Sequence, residues 1–183
     1  MIKKFSFLLF IIINKINLRF IFRTFSSIND KLKMKLITFS GAHIGKNSFI
    51  RSNVFILNPN KLFIGENSAI GSNSEIFNSE NFYIGDNVDI GSQLYINCDN
   101  HKFDDLKFPI TQQGTISKEI RIGSNVWIGA RVTILSNVII EDNIVIGAGS
   151  LVNKNLESGF IYAGVPARKI KTVNKPSLNN NFI

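Results

Sequence analysis

The stretch "IRIGSNVWIGARVTILSNVIIEDNIVIGAGSLV", residues 120–152, places an aliphatic residue at every sixth position. Within residues 44–96 the same spacing occurs in three groups of three residues, with a spacing of eight residues between groups, and glycine directly follows eight of all the repeating residues. The repeating residues are Ile44, Ile50, Ile56, Ile64, Ile70, Ile76, Ile84, Ile90, Ile96, Ile122, Ile128, Ile134, Ile140, Ile146 and Val152. A period of six fits neither an amphipathic helix, with its period of about 3.6, nor one alternating strand.

Short strands joined by tight turns, three strands to a coil, explain this repeat because each coil can bury its aliphatic residues against the next. The coil lengths support this, since 20 residues separate Ile44, Ile64 and Ile84, and 18 residues separate Ile122 and Ile140. Gly and Asn at the corners are expected where the backbone needs a positive φ angle. We therefore predict an all-β parallel β-helix rather than the alternative, a β-sandwich. The repeat alone does not fix its handedness.

Composition and charge narrow the class of protein. The chain has 183 residues, 44% of them hydrophobic and 19% charged, which suits one globular domain. Residues 1–35 hold eight Lys and Arg residues against one Asp, a net charge of +7 out of the formal +8. The remainder has no basic stripe with interleaved aromatic residues, which argues against nucleic-acid binding.

The N-terminal segment, residues 1–40, is both apolar and basic. Its apolar run, residues 7–13, is much shorter than the roughly 20 residues that span a bilayer, and no cleavage site of a secretory signal follows it. Two interpretations stay open: a helix packed on the domain, or a helix at an anionic membrane surface. The single cysteine, Cys98, excludes an internal disulfide and fits a cytoplasmic protein.

The repeat is interrupted once, next to a histidine. After Ile96 the next aliphatic position falls at residue 102, but the pattern resumes only at Ile122, so residues 102–121 form a long loop. Long loops on rigid scaffolds commonly carry function. His101, one of two histidines in the chain, stands where this loop begins.

Several motifs accompany the hexads: "NHKFDD" (100–105), "FPITQQG" (108–114), "VIGAGSLVNKN" (145–155) and "IYAGVPARKIK" (161–171). With them, residues 44–171 resemble the hexapeptide-repeat acyltransferases, whose fold is a left-handed parallel β-helix. The most similar branch is the bacterial sugar O-acetyltransferases: the galactoside and maltose enzymes, and those that modify lipopolysaccharide and capsule.

The resemblance implies a homotrimer in which the loop folds over a neighbouring subunit. His101 would be the general base in a cleft between two protomers, without an acyl-enzyme. The chemistry is suitable, because histidine is largely neutral near neutral pH and can accept the proton of an attacking hydroxyl. Acetyl-CoA is the implied co-substrate.

Further residues are candidates for the acceptor side. Asp99, Asp104 and Asp105 could orient the imidazole or bind sugar hydroxyls, or they could form a solvated acidic turn. Where the galactoside and maltose branch has an acceptor-facing Asn, this chain has Gly71, and Asn73 or Asn81 could substitute for it. We expect Asn81, 20 residues before His101, to stack below that histidine.

Two other chemistries are less favoured. A Cys98/His101 nucleophile would need an acyl-enzyme, which the resembling enzymes do not form. Carbonic anhydrases of the same fold bind zinc through three histidines, but here only His43 and His101 exist, almost three coils apart. We therefore expect no metal, and we expect His43 to be a corner residue.

The resemblance also implies donor-site residues. Trp127 matches the aromatic residue at the acetyl end of the pantetheine, although it could instead cap a coil. Ala130 and Ala148 match positions whose backbone N–H groups bond the thioester carbonyl and the pantetheine amides. Residues at the nucleotide end, where cations meet phosphates, are matched by Asn153, Lys154, Arg168 and Lys171.

The combined expectation is an O-acetyltransferase acting on a hydroxyl of a cell-surface polysaccharide or its precursor. The basic segment suggests a location at the inner face of the cytoplasmic membrane. N-acetylation of a nucleotide-linked amino sugar is the alternative, and a non-catalytic scaffold is the alternative of another class. The predicted divisions are the segment 1–40, a β-helix domain over 41–173, and a flexible tail over 174–183.

Overall fold

The computed structural model describes residues 30–173, and its regular structure is almost entirely β-strand. The predicted tail and residues 1–29 of the predicted N-terminal segment lie outside this part. The helix α1 spans Asp30–Phe39, and 3-10 turns span Pro59–Lys61 and Ile110–Gln112. The strands are β1 (His43–Ile44), β2 (Phe49–Ile50), β3 (Phe55–Ile56), β4 (Leu62–Ile64), β5 (Ala69–Ile70), β6 (Glu75–Phe77), β7 (Phe82–Ile84), β8 (Asp89–Ile90), β9 (Tyr95–Asn97), β10 (Asp99–His101), β11 (Thr115–Ser117), β12 (Ile120–Ile122), β13 (Val126–Ile128), β14 (Thr133–Ile134), β15 (Ile139–Ile140), β16 (Ile144–Ile146), β17 (Leu151–Val152), β18 (Phe160–Ala163) and β19 (Arg168–Thr172).

The coils form a three-sided column. Each side, called a face here, is a β-sheet of parallel strands, apart from the antiparallel β19. The first face consists of β1, β4, β7, β12 and β15; the second of β2, β5, β8, β13, β16, β18 and β19; the third of β3, β6, β9, β14 and β17. On the first face, Ile44 pairs with Ile64, Ile64 with Ile84, Ile84 with Ile122, and Ile122 with Ile140. The predicted parallel β-helix and its coil lengths are therefore confirmed.

The interior of the column is a stack of aliphatic side chains. All of the repeating residues are buried except Ile44 and Ile56, which pack partly against the core in the first coil. Burying one such side chain stabilises the fold by about 1.5–3 kcal/mol. The buried Ser68 is satisfied, because its Oγ donates to the Gly85 carbonyl at 2.8 Å and accepts from the Val88 N–H at 3.0 Å, whereas the buried Oγ of Ser136 has no hydrogen-bond partner among the described residues.

The corners depend on asparagine and glycine for different reasons. Asparagines at successive corners adopt positive φ, and they form side-chain ladders such as Asn125 Nδ2 to Asn143 Oδ1 at 2.7 Å. The glycines that follow the repeating aliphatics do not adopt positive φ, so our explanation for them is wrong. A Cβ on Gly85, for example, would lie 2.7 Å from the carbonyl carbon of Gly123 in the next coil. These positions need glycine because the coils stack too closely for a side chain.

The two ends of the column are closed differently. At the N-terminal end, Met34 and Ile37 of α1 pack on the core, and the Ile50 N–H lies 3.4 Å from the Met34 sulfur. At the other end, β19 returns antiparallel to β18 through a turn with a cis peptide between Val165 and Pro166. No helix among residues 30–173 is long and apolar enough to cross a membrane.

The loop starts and ends earlier than the predicted 102–121. The chain leaves the coil after Cys98, and β10 pairs antiparallel with β11 to form a hairpin outside the column. The column resumes where the Ile120 N–H donates to the Asn81 carbonyl at 3.2 Å. The hexad count could not reveal these limits because it records only the interior positions.

Candidate active site

His101 ends β10 at the outer part of the hairpin. Its cross-strand partner is Thr115, and its side chain is exposed. Within the described residues its imidazole makes no hydrogen bond, so both ring nitrogens are open to an incoming group. The edge of the column from which the hairpin departs lies between the third and first faces.

Asp99 anchors the base of this hairpin. Its carboxylate accepts hydrogen bonds from Ser79 Oγ and Ser117 Oγ, each at 2.6 Å. Ser79 belongs to the coil below and Ser117 to β11, so one carboxylate ties both hairpin strands to the column. Asp99 and His101 lie on the same side of β10, because alternate residues of a strand share a side. Within the described residues the Asp99 carboxylate bonds Ser79 and Ser117 and not the His101 imidazole, so its role at the site stays a prediction.

Sequence reasoning missed Ser79 and Ser117. Ser79 could have been found, since it lies 20 residues before Asp99, which is one coil. Ser117 could not, because its position opposite Asp99 depends on the register of a hairpin that no repeat specifies.

The other two loop aspartates differ in their contacts. Asp105 organises the loop: its carboxylate accepts from the Lys107 N–H at 2.9 Å, and its carbonyl accepts from Gln113 Nε2 at 2.8 Å. Asp104 makes no hydrogen bond within the described residues, and it lines an open pocket of about 370 Å³ beside Lys102 and Phe108. Asp104 is therefore the freer group for an acceptor.

The two candidate asparagines are not placed beside His101. Asn73 is a positive-φ corner residue between the second and third faces, where it accepts from Asn53 Nδ2 at 2.6 Å. Asn81 donates to the Tyr83 hydroxyl at 3.0 Å. The expected stacking of Asn81 below His101 is wrong, because the chain has already left the coil and Ile120 follows above Phe82 instead.

Trp127 lies on the second face, and 58% of its surface is exposed. It sits in register between Asp89 of the coil below and Val145 of the coil above. Its side chain alternates with the buried Val126 and Ile128, so it points outward from the column. It is therefore an outward-facing surface aromatic residue, and its role at the pantetheine stays a prediction.

Ala130 and Ala148 occupy equivalent positions in successive coils, at the edge between the second and third faces. Their backbone N–H groups meet no acceptor among the described residues. The equivalent amides at the neighbouring edge are capped, as when the Ser124 N–H donates to Asp142 Oδ1 at 2.6 Å. The residues one coil above them, Ala148 and Gly164, have no side-chain acceptor that could cap these amides, so the amides stay available to a ligand.

The predicted residues of the nucleotide end are split between two places. Arg168 and Lys171 lie exposed on β19, which extends the second face beyond Trp127. Asn153 and Lys154 follow β17, at the edge between the third and first faces. A single chain thus does not place all four at one edge, and their role stays a prediction.

Cys98 is fully buried. Burial raises the pKa of its thiol from 9.0 to about 11, an effect that the nearby Asp99 charge reinforces. A thiol with this pKa holds almost no thiolate near neutral pH, which argues against the nucleophile alternative.

His43 is in strand β1 and not at a corner, where we had expected it. Its ring stacks on Phe63 at 4.8 Å between centroids. Among residues 30–173 no cluster of three or more His, Cys, Asp or Glu side chains could hold a metal ion.

Comparisons with known proteins agree with this architecture. The family "Bacterial transferase hexapeptide (six repeats)" matches residues 119–154, and "Hexapeptide repeat of succinyl-transferase" matches residues 61–98. A search of curated proteins gave no match.

Three solved structures are similar over most of the chain. A maltose O-acetyltransferase from Clostridium difficile 630 is 26% identical, with a TM-score of 0.74, and 84% of this chain and 83% of that chain are covered. A hexapeptide-repeat acetyltransferase from Vibrio cholerae is 26% identical, with a TM-score of 0.75 and coverage of 81% and 83%. AntD, an N-acyltransferase from Bacillus cereus in complex with dTDP and 3-hydroxybutyryl-CoA, is 25% identical, with a TM-score of 0.62 and coverage of 76% and 87%.

The repeats, the faces and these similarities define a left-handed parallel β-helix of hexapeptide repeats. In its repeats and in its fold the chain is similar to the hexapeptide-repeat acyltransferases.

Proposed function

We propose that this acyltransferase moves an acetyl group from acetyl-CoA to a hydroxyl of a cell-surface polysaccharide or its precursor, with His101 as general base. The observation that carries the proposal is the exposed, unpaired imidazole of His101 on a hairpin that Asp99 anchors. The similarity to a maltose O-acetyltransferase supports a sugar hydroxyl as acceptor.

The proposed reaction is a direct transfer. The neutral imidazole of His101 accepts the hydroxyl proton while the hydroxyl oxygen attacks the thioester carbonyl carbon. The uncapped N–H of Ala130 or Ala148 donates to the oxyanion of the tetrahedral intermediate. The carbon–sulfur bond then breaks, and the imidazolium returns its proton to the departing CoA thiolate.

The proposed active site is shared between protomers of a homotrimer. His101 leaves the column at the edge between the third and first faces, whereas Trp127 projects from the second face. One chain therefore presents its base and its donor platform on different sides. The hairpin also exposes large apolar side chains that a neighbour would cover: Phe103, Leu106, Phe108, Ile110 and Ile116.

The proposed base is tested by His101→Ala, with the other histidine as the matched control. Thiol release from acetyl-CoA, measured over a panel of bacterial glycans, should fall about 10²–10⁴-fold in His101→Ala. His43→Ala should retain wild-type turnover, since His43 only stacks on Phe63. Undiminished turnover in His101→Ala would reject the mechanism.

The shared site is tested by co-expressing His101→Ala with Trp127→Ala chains. If each site takes its base from one protomer and its platform from the next, random mixing restores about a quarter of wild-type turnover. Sedimentation should give three times the 20.5 kDa chain mass. Mixed trimers as inactive as the parent variants would place both groups in one protomer.

A second candidate is N-acetylation of a nucleotide-linked amino sugar. The similarity to AntD, whose structure holds dTDP and an acyl-CoA, favours it. An amine needs less help from a base, so His101→Ala should then cost much less. Amino-sugar nucleotides tried against polysaccharide acceptors separate the two candidates.

A further inference from the structure

The N-terminal end of the column carries an apolar stripe that no part of residues 30–173 covers. In α1, Leu32, Leu36 and Phe39 are 50%, 51% and 85% exposed. With about 100° of rotation per residue, these three residues fall within one narrow sector of the helix. Met34 and Ile37, which pack on the core, fall on the opposite side. The helix thus has two apolar faces, and the domain uses only one.

The first coil adds to this apolar end. Phe49, Phe55 and Leu57 each remain more than 40% exposed, next to the helix end of the column. The other concentration of exposed large apolar residues is the hairpin, which the proposed trimer covers. The helix stripe has no such explanation.

Within the described part of the chain, positive charge is concentrated in the residues of the helix and the first coil. Residues 30–65 hold six Lys and Arg residues and a single acidic residue, Asp30, for a net charge of +5. Residues 66–173 hold nine basic and 12 acidic residues, for a net charge of −3. Lys35 and Lys46 are exposed within the described part. An anionic surface would therefore attract the molecule by this end.

We infer that the stripe Leu32–Leu36–Phe39, together with the exposed Lys35 and Lys46, forms a docking surface for an anionic lipid bilayer. Exposed apolar side chains flanked by cations match the boundary between acyl chains and negatively charged headgroups. A soluble polyanion would satisfy the lysines but leave the stripe in water. The proposed cell-surface acceptor explains why the protein would bind a membrane, and in that respect the inference rests on the proposed function. Vesicle binding itself requires no turnover, so it can be tested separately.

The test uses the full chain and vesicles of phosphatidylcholine with or without phosphatidylglycerol. Wild-type protein should sediment with the anionic vesicles and be released by high salt, since salt screens surface charge. The variant Leu32→Ser/Leu36→Ser/Phe39→Ser should bind at least tenfold more weakly. The control Ile139→Ser/Ile170→Ser removes apolar side chains that are 46% and 60% exposed elsewhere on the column, and it should bind like wild type.

A second variant keeps the test independent of helix packing. Lys35→Glu/Lys46→Glu reverses exposed charges without touching the stripe, and it should weaken anionic-vesicle binding while its thermal unfolding stays unchanged. Wild-type-like binding by both the serine and the glutamate variants would overturn the inference. A serine variant that loses its oligomeric state in sedimentation would overturn it as well, because the stripe would then contact a second copy.

Discussion

Replacing Asp99 by Ala tests whether the hairpin anchor positions His101. The substitution removes the acceptor of two hydrogen bonds, from Ser79 and Ser117, each 2.6 Å long. A hydrogen bond to a charged group contributes about 1.5–3 kcal/mol when it is shielded from water. Asp99 is only partly buried, so water replaces part of each bond. We expect a total loss of about 2–3 kcal/mol, confined to the hairpin.

Amide hydrogen exchange measures that local loss directly. Hairpin amides should lose about 30- to 160-fold protection in Asp99→Ala, while amides of the stacked coils keep theirs. Ser79→Ala and Ser117→Ala should each show a smaller loss. In the Asp99→Ala background, either serine substitution should cause little further loss of protection, because both serines donate to the same carboxylate.

Kinetics then separate positioning from general damage. A base displaced by about 1 Å can cost roughly a hundredfold in rate, so kcat should fall about 10- to 100-fold. The KM for acetyl-CoA should stay unchanged, since Trp127, Arg168 and Lys171 lie on the second face, away from the hairpin. Glu66→Gln, which removes an exposed carboxylate elsewhere, is the matched control. If Asp99→Ala loses protection but retains kcat, or if it loses kcat with a rise in that KM, Asp99 does not position His101.

Three further predictions concern packing, titration and location. Gly85→Ala should lower the free energy of unfolding, measured with denaturant, by at least about 2 kcal/mol. A Cβ at Gly114 would meet no atom within 4 Å, so Gly114→Ala should cost only about 1 kcal/mol, for its positive φ. Equal losses would contradict the stacking explanation. The pKa of the Cys98 thiol is near 9.0 in the unfolded chain and about 11 in the folded protein. As the pH rises from 9 to 11, the unfolded chain therefore loses this proton first and is stabilised relative to the folded protein. The wild-type free energy of unfolding should fall over this range by up to about 2.7 kcal/mol relative to its neutral-pH value. Cys98→Ala should lack that component and keep its turnover. Deleting residues 1–25 should move the protein from membrane to soluble fractions, and identical fractionation would make the segment structural.

The repeat predicted the fold well because each interior position is determined by the coil above and below it. Ile84, for instance, pairs with Ile64 and Ile122, so all three are buried in one stack. The reason why glycine follows the repeating aliphatic residues could not be predicted from the sequence in the same way. The close approach of Gly85 to Gly123 is a distance between coils, and a one-dimensional pattern contains no such distance.

The position of the candidate site along the chain was predictable, because the repeat is interrupted there. The contacts within the hairpin were not predictable, because they depend on the pairing of its two strands. The missing aliphatic after Ile96 correctly placed a long excursion next to His101, but the prediction kept His101 in the coil, whereas it lies in a hairpin outside it. Counting one coil back to Asn81 was wrong, because the chain had left the column two residues before His101 at Asp99. Hairpin register depends on cross-strand pairs such as Asp99 and Ser117, which leave no periodic trace in the sequence.

A stacked column also limits how the proposed reaction can be controlled. Each coil is fixed by parallel pairing above and below, and glycine contacts leave no room for coils to slide. Base and donor platform on different faces of one chain therefore cannot meet by bending the column. Under the proposed mechanism only association of protomers brings them together, so specific activity should fall on dilution as the trimer dissociates. Specific activity that stays constant while sedimentation shows monomers would mean that one chain suffices, and the shared site would have to be abandoned.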